Sequence, residues 1–214
     1  DGIAHLNAYL DDHAFLLDAL LELLASGFRP VDLEFARALA ERLLEQFEDA
    51  EHGGFFFVSH DHEALIMRPK SGHDNAMPSG NGVAAYALQR LGHLVGEPHY
   101  LEAAERALKH FYPQLARQPS GFPSLASALD EYLHAPKIVL LRGPAGEATR
   151  WQAALEVSYR PRVLIIALPE NLHDLPSALD KPVSRAPAAW ICERSQCLPP
   201  LAALSEVTRT LDTR

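Results

Sequence analysis

The segment ALAERLLEQF at residues 38–47 returns as EAAERALKHF at 102–111, with Ala-Glu-Arg, Leu and Phe in matching places at an offset of 64. The segments before them also correspond: ALLEL at 19–23 answers to ALQRL at 87–91, at an offset of 68. In each copy apolar residues recur at helical spacing, so the unit is a pair of amphipathic helices plus a connector. One such pair has no partner of its own for its apolar faces. It buries them only against a neighbouring pair, which points the chain toward an array of helical hairpins.

Helix signals follow this frame. Residues 12–25 form an apolar stripe, with Asp11 or Asp12 placed to cap it and Gly27 and Pro30 to end it. Leu33, Ala36, Leu39, Ala40, Leu43, Leu44 and Phe47 make the stripe of a second helix, which Gly53 and Gly54 break. FFFVS and DHEALIMRPK, rich in aromatic and aliphatic residues, predict an inserted β-hairpin. Helical spacing resumes in VAAYALQRLGHLV, then in YLEAAERALKHFYPQLA with Pro98 near its first turn, then in SLASALDEYLHA. Beyond Pro136 the pattern changes. KIVLLRG, RVLIIALP and AAWICE read as strands, EATRWQAALEVSY and PPLAALSEVTRTL as helices. Strand, helix, strand implies a parallel crossover. The expected architecture is therefore mainly α, with helical hairpins over 1–135 and a small α/β unit with parallel strands over 136–214.

Composition narrows the function classes. A formal charge of −9 without clustered Lys and Arg argues against nucleic acid as a partner. No apolar run reaches the roughly 18 residues of a membrane span, and the amino terminus has no signal-peptide pattern. A cytoplasmic setting is expected, with Cys192 and Cys197 as unpaired thiols, because their spacing matches neither a redox Cys-x-x-Cys nor a zinc site. His60 and His62 alternate as metal ligands would on a strand, but no further Cys or His spacing completes a site. The glycines of LRGPAGEATR lack the order of a dinucleotide or P-loop motif. No metal and no cofactor is called for.

The chemistry is concentrated in RPKSGHDNAMPSGNG, residues 68–82. This loop holds cations, a carboxylate and amides, a mixture suited to a polyhydroxylated ligand. Its bland role is equally concrete: Ser79 is placed to cap the helix that follows.

YLDDHAFLLDALLELL, GGFFFVSHDHEALIMRPKSGHDNAMPSGNGVAAYALQRLG and the late WICERSQCLPP resemble the carboxyl-terminal part of the spermatogenesis-associated protein 20 family over nearly the whole chain. The resemblance implies an amino-terminal thioredoxin-like domain, absent from this sequence, and an (α/α)6 toroid similar to N-acylglucosamine 2-epimerases and six-hairpin glycosidases. Only about half of that toroid's hairpins are present, so the chain, which opens on Asp1 without a Met, reads as the tail of a longer protein. The implied activity is carbohydrate-active or carbohydrate-binding, and the alternative is a non-catalytic scaffold for the thioredoxin-like domain. Asp74, or the pair Asp11 and Asp12, would act as acid/base; Arg68, Lys70, Asn75, Ser79 and Asn81 would hold substrate. The expected partners are a sugar-like small molecule and either the missing amino-terminal part or a second copy.

Overall fold

The computed structural model describes residues 7–63, 65–172, 175–183 and 185–212. Five helices build the first part: α1 (Leu10–Ser26), α2 (Pro30–Phe47), α3 (Gly80–Val95), α4 (Pro98–Arg117) and α5 (Pro123–Leu133), with a short 3-10 turn at Pro119–Gly121 before the last. Their ends follow from local chemistry. The Tyr9 N–H donates to Asp12 Oδ2 at 2.8 Å, closing the first turn of α1. Pro30 and Pro98 open α2 and α4, where their missing N–H costs nothing. Ser79 caps α3 by accepting from Gly82 N–H, and Gly96 ends that helix in a left-handed conformation.

The helices fall into two layers. α1, α3 and α5 lie side by side, while α2 packs on α1 and α4 on α3. The helices related by the sequence offsets thus occupy equivalent layers. Ala-rich faces let α3 approach its neighbours closely; Ala84, Ala85, Ala87, Ala103, Ala104 and Ala107 are fully buried. Polar pairs bridge the second layer: Tyr100 Oη donates to Glu41 at 2.6 Å and Arg106 reaches Glu48 at 2.6 Å.

The remainder contains β1 (Lys137–Arg142), α6 (Ala145–Glu156), β2 (Val163–Ala167), β3 (Ala188–Glu193), β4 (Gln196–Cys197) and α7 (Leu204–Asp212). The strand order is β2-β1-β3-β4. β1 and β2 are parallel, joined by α6 as the crossover predicts. One face of the sheet, with Ile138, Leu140, Leu164, Ile166 and Trp190, joins the core of the helical layers. The other, with Val139, Leu141, Ile165 and Ile191, packs against α6 and α7 through Leu155, Val207 and Leu211. Burial on both faces explains why these strands read as continuous apolar runs.

Three expectations are corrected. Among the described residues, 48–78 hold no hairpin, only an isolated bridge between Glu48 and Phe55. The aromatic run that predicts strands there is spent on packing: Phe55 is fully buried, Phe56 lies under Arg68 with the guanidinium 4.1 Å from the ring centre, and Phe57 stacks on Tyr9 at 4.9 Å. The sheet is mixed rather than parallel, because β3 runs antiparallel to β1 with Leu140 opposite Trp190. Cys192 and Cys197 are not thiols; they form a disulfide across β3 and β4.

One buried arginine links the two parts. Arg90 on α3 meets Glu131 on α5 at 2.7 Å, with side chains only 7% and 3% exposed, and its other end donates to Pro161 O at 2.5 Å. Burial works against the Arg90 charge, but Glu131 overcomes it and raises the guanidinium above its ordinary value. Glu131→Ala should leave that cation buried and lose about 3–5 kcal/mol, whereas Arg90→Met with Glu131→Leu should lose far less. Urea unfolding of Glu131→Ala and of the double variant, beside the parent chain, measures the difference.

Candidate functional site

The 68–82 loop is held by its own polar groups. Asp74 Oδ1 accepts from Ser79 N at 2.9 Å and Ser124 Oγ at 2.5 Å; Oδ2 accepts from Ser124 N at 2.8 Å. One carboxylate therefore clamps the amino terminus of α5 to that of α3, where the partial positive charge of each helix favours it. Asn81 is fully buried. Its Oδ1 accepts from Phe55 N at 2.7 Å, and its Nδ2 donates to Phe55 O and Ser71 O, both at 2.9 Å. Lys70 reaches Asp49 Oδ2 and Gly53 O, both at 2.8 Å. Arg68 donates to Val58 O at 2.7 Å.

α1 completes the arrangement. Asp11 stands against Gly80, where a Cβ would collide with Asp11 Oδ1. Glycine is required there by close approach rather than by its φ angle. The amino termini of α1, α3 and α5 thus meet at one end of their layer, with the 68–82 loop between them.

Two cavities open at that end. The first, about 370 Å³, is bordered by Asp11, Phe57, His73, Asn75, Ser79 and Asn81. The second, about 420 Å³, is bordered by Asp18, Asp74, Tyr86, Ser124 and Ser127; Pro78 borders both. Of the residues expected from the sequence, Asp11, Asn75, Ser79 and Asn81 are brought together at the first cavity and Asp74 lies at the second. Asp12 is occupied with the α1 terminus, and Arg68 and Lys70 border neither cavity. The β1–α6 turn is packed: a Cβ at Gly143 would stand 2.7 Å from Pro187 Cα. No group of three His, Cys, Asp or Glu that could hold a metal occurs among the described residues. No helix among them is long and apolar enough to cross a membrane.

The electrostatics single out two carboxyls. Burial, then the neighbouring Asp12 charge, push Asp11 above its ordinary value against the pull of the Gly80 backbone. Burial and Glu22 push Asp18 up, against the pull of Arg90. Asp49 behaves oppositely. Burial raises it, but Lys70 and the His52 backbone and ring hold it well below the usual carboxylate range. Sequence reasoning missed Asp18, Tyr86 and Arg90. Their signal was a polar stripe beside the apolar one: Asp11, Asp18 and Glu22 fall on one side of α1, and Tyr86 and Arg90 on one side of α3.

The chain is similar to spermatogenesis-associated protein 20 of Homo sapiens, 28% identical over 95% of this chain and 27% of the relative. It is 30% identical to the protein of the same name from Rattus norvegicus over 74% of this chain and 21% of that one. An uncharacterized protein of Caenorhabditis elegans is 24% identical over 96% of this chain and 29% of its own length. No protein-family model matches the chain. These homologues carry the name to which the motifs point, and the match is consistent with a carboxyl-terminal part of that family. The chain spans about a quarter of the length of these relatives.

The Lys70–Asp49 contact makes stability depend on pH. Because the Asp49 carboxyl sits below its unfolded value, its contribution is present above about pH 4 and is lost as the pH falls toward the folded value. Lys70→Met should cost about 1–3 kcal/mol at pH 7, and the gap from the parent chain should narrow below about pH 4. Denaturant unfolding at pH 7, 5 and 3 checks both the size and the sign.

Proposed function

We propose that α1, α3 and α5 form a stretch of the inner wall of an (α/α)6 toroid, and that its amino-terminal end binds a carbohydrate or similar polyhydroxylated molecule. The observation that carries this reading is the meeting of three helix amino termini at two adjoining cavities bordered by Asp11, Asp18 and Asp74. Carboxylates and amides match hydroxyl groups, and cavities of this size suit small ligands. Phe57 and Tyr86 add aromatic surface to the two cavities for the C–H faces of a sugar ring. Asp11, with its raised carboxyl, is the acid/base residue of this scheme, and Asn75 orients hydroxyls. Asp74 keeps the α3 and α5 termini in place.

The rest of the wall would come from the further length that the relatives have, or from a second copy. The free side of the α1–α2 hairpin supports this. Leu16, Leu23, Val31 and Phe35 there are 42–62% exposed, a hydrophobic stripe of the kind neighbouring hairpins cover.

A second reading rests on the saturation of Asp74, Asn81 and Lys70 by internal bonds. On that reading the loop is only a brace, and the helical array is a scaffold for a thioredoxin-like domain.

Thermal shifts with a panel of neutral and amino sugars separate the two. On the carbohydrate reading a sugar raises Tm, and Asp11→Asn removes that rise while changing the ligand-free Tm by no more than about 2 °C. On the scaffold reading no sugar moves Tm in the parent or the variant. Asp74→Ala lowers Tm on either reading, so it reports the clamp alone.

A further inference from the structure

The hairpin that ends the sheet lies outside the site just described. β3 reaches Glu193, turns through Arg194 in the left-handed region at φ 55°, and returns as Gln196–Cys197. Cys192 and Cys197 stand opposite each other in the ladder and are joined. Their settings differ. Cys192 is 8% exposed and shares the face of β3 that carries Trp190 into the main core, whereas Cys197 is exposed on the edge strand.

The bond borders two cavities. One, about 550 Å³, is walled by Lys137, Glu193, Cys197 and Thr210. The other, about 330 Å³, is bordered by Cys192, Cys197, His93, Lys181 and Arg194, with Ser177 and Ser195 as further donors. Among the described residues no carboxylate borders the second cavity; Glu193 borders only the first. Burial and the nearby Arg194 hold the His93 ring toward its neutral form, so Lys181 and Arg194 supply the positive charge. A disulfide with one exposed and one buried cysteine, bordering a cavity lined by two cations, has the asymmetry of access that exchange requires and positive charge to stabilise a departing thiolate. The attacked sulfur must be accessible, and the leaving sulfur must be stable as a thiolate.

We propose that Cys192–Cys197 is a thiol–disulfide exchange site for a dithiol reductant. A thiolate of the reductant attacks Cys197 Sγ, a mixed disulfide forms, and Cys192 leaves as a thiolate into the cavity with Lys181 and Arg194. The reductant's second thiol then attacks its own sulfur in the mixed disulfide. The reductant closes its disulfide, Cys197 departs as a thiolate, and the two thiol protons go to the two cysteines. Two electrons pass from the dithiol to the cysteine pair. The structural consequence falls on the carboxyl arm. With the clip open, the arm leading to α7 still has the Glu193–Gln196 pairing, the Leu198 N to Ile191 O bond and the reciprocal Ala189–Leu201 pair at 2.9 Å, and α7 still has the Arg160–Asp212 ion pair at 2.8 Å and the packing of Val207 and Leu211, so the bond is one tether among several.

Dithiothreitol is the probe, with free thiols counted by maleimide labelling and mass spectrometry on the folded chain. Three results are expected: release of both thiols without loss of the far-UV spectrum, capture of a glutathione adduct at Cys197 in Cys192→Ser, and a rate about fivefold or more lower in Lys181→Met with Arg194→Asn. Asn is chosen because it tolerates the left-handed backbone. Unpaired cysteines in the air-oxidised chain, reduction only after urea unfolding, an unchanged rate in the double variant, or no adduct at Cys197 would each overturn the proposal. Cys197→Ser, which cannot form the bond, reports separately whether the clip is needed for folding.

Discussion

The carboxylate of Asp74 is the interaction on which the first-layer geometry depends. Its acceptor positions serve the backbone N–H of Ser79, the backbone N–H of Ser124 and the Ser124 hydroxyl. Each helix amino terminus carries N–H groups without partners inside the helix, and two such termini brought together would repel as well as remain unsatisfied. One shared carboxylate removes both difficulties and sets the relative position of α3 and α5. Between α1 and α3 the fit is steric: Asp11 stands against Gly80, whose missing Cβ lets the two helices approach. The convergence of α3 and α5 is thus an electrostatic arrangement, and the cavities beside their ends are its by-product.

The polar loop would drift from this position without a second anchor, which Asn81 supplies. Its side chain exchanges both bonds with the backbone of Phe55, as a neighbouring strand would, and adds a third to Ser71 O. The backbone groups of Phe55 and Ser71 are thereby satisfied without a sheet. The other end of the molecule uses a comparable device. Arg142, almost wholly buried at the end of β1, donates to Pro169 O at 2.7 Å and Lys181 O at 3.0 Å, tying the irregular segment after β2 to the sheet.

Legibility in the sequence tracks how local the responsible interaction is. The five helices of the first part were readable because periodicity, Pro30, Pro98, Ser79 and Gly96 act within one or two turns. β1, β2 and β3 were readable as strands because burial on both faces makes them uniformly apolar. The direction of β3 was not, since it depends on the route of residues 168–187, which carries no periodic signal. The false hairpin came from reading aromatic density as strand propensity, when Phe56 and Phe57 pair with Arg68 and Tyr9 instead. The disulfide was hidden because a two-residue edge strand sets its register. At the candidate site the loop residues were found, but most of them turned out to face inward. Asp18 and Tyr86 lie on helices whose apolar stripes drew attention away from the polar positions beside them.

Folding energetics sort the acidic residues into two kinds. Asp49 and Glu41 sit below their ordinary values because Lys70 and His52, or Tyr100 and His99, outweigh the cost of burial; ionising them favours the folded chain. Asp11 and Asp18 sit above theirs, so at neutral pH their charges oppose folding. Glu131 is also raised by burial, but it is spent on Arg90 inside the core and borders neither site cavity. A fold that needed only braces would gain by amidating Asp11 and Asp18, whose removal breaks no clamp comparable to that of Asp74. Their presence beside open cavities, at a cost in stability, is the physical ground on which the proposed ligand site rests, while the internal bonds of the more conspicuous Asp74, Asn81 and Lys70 are those of architecture.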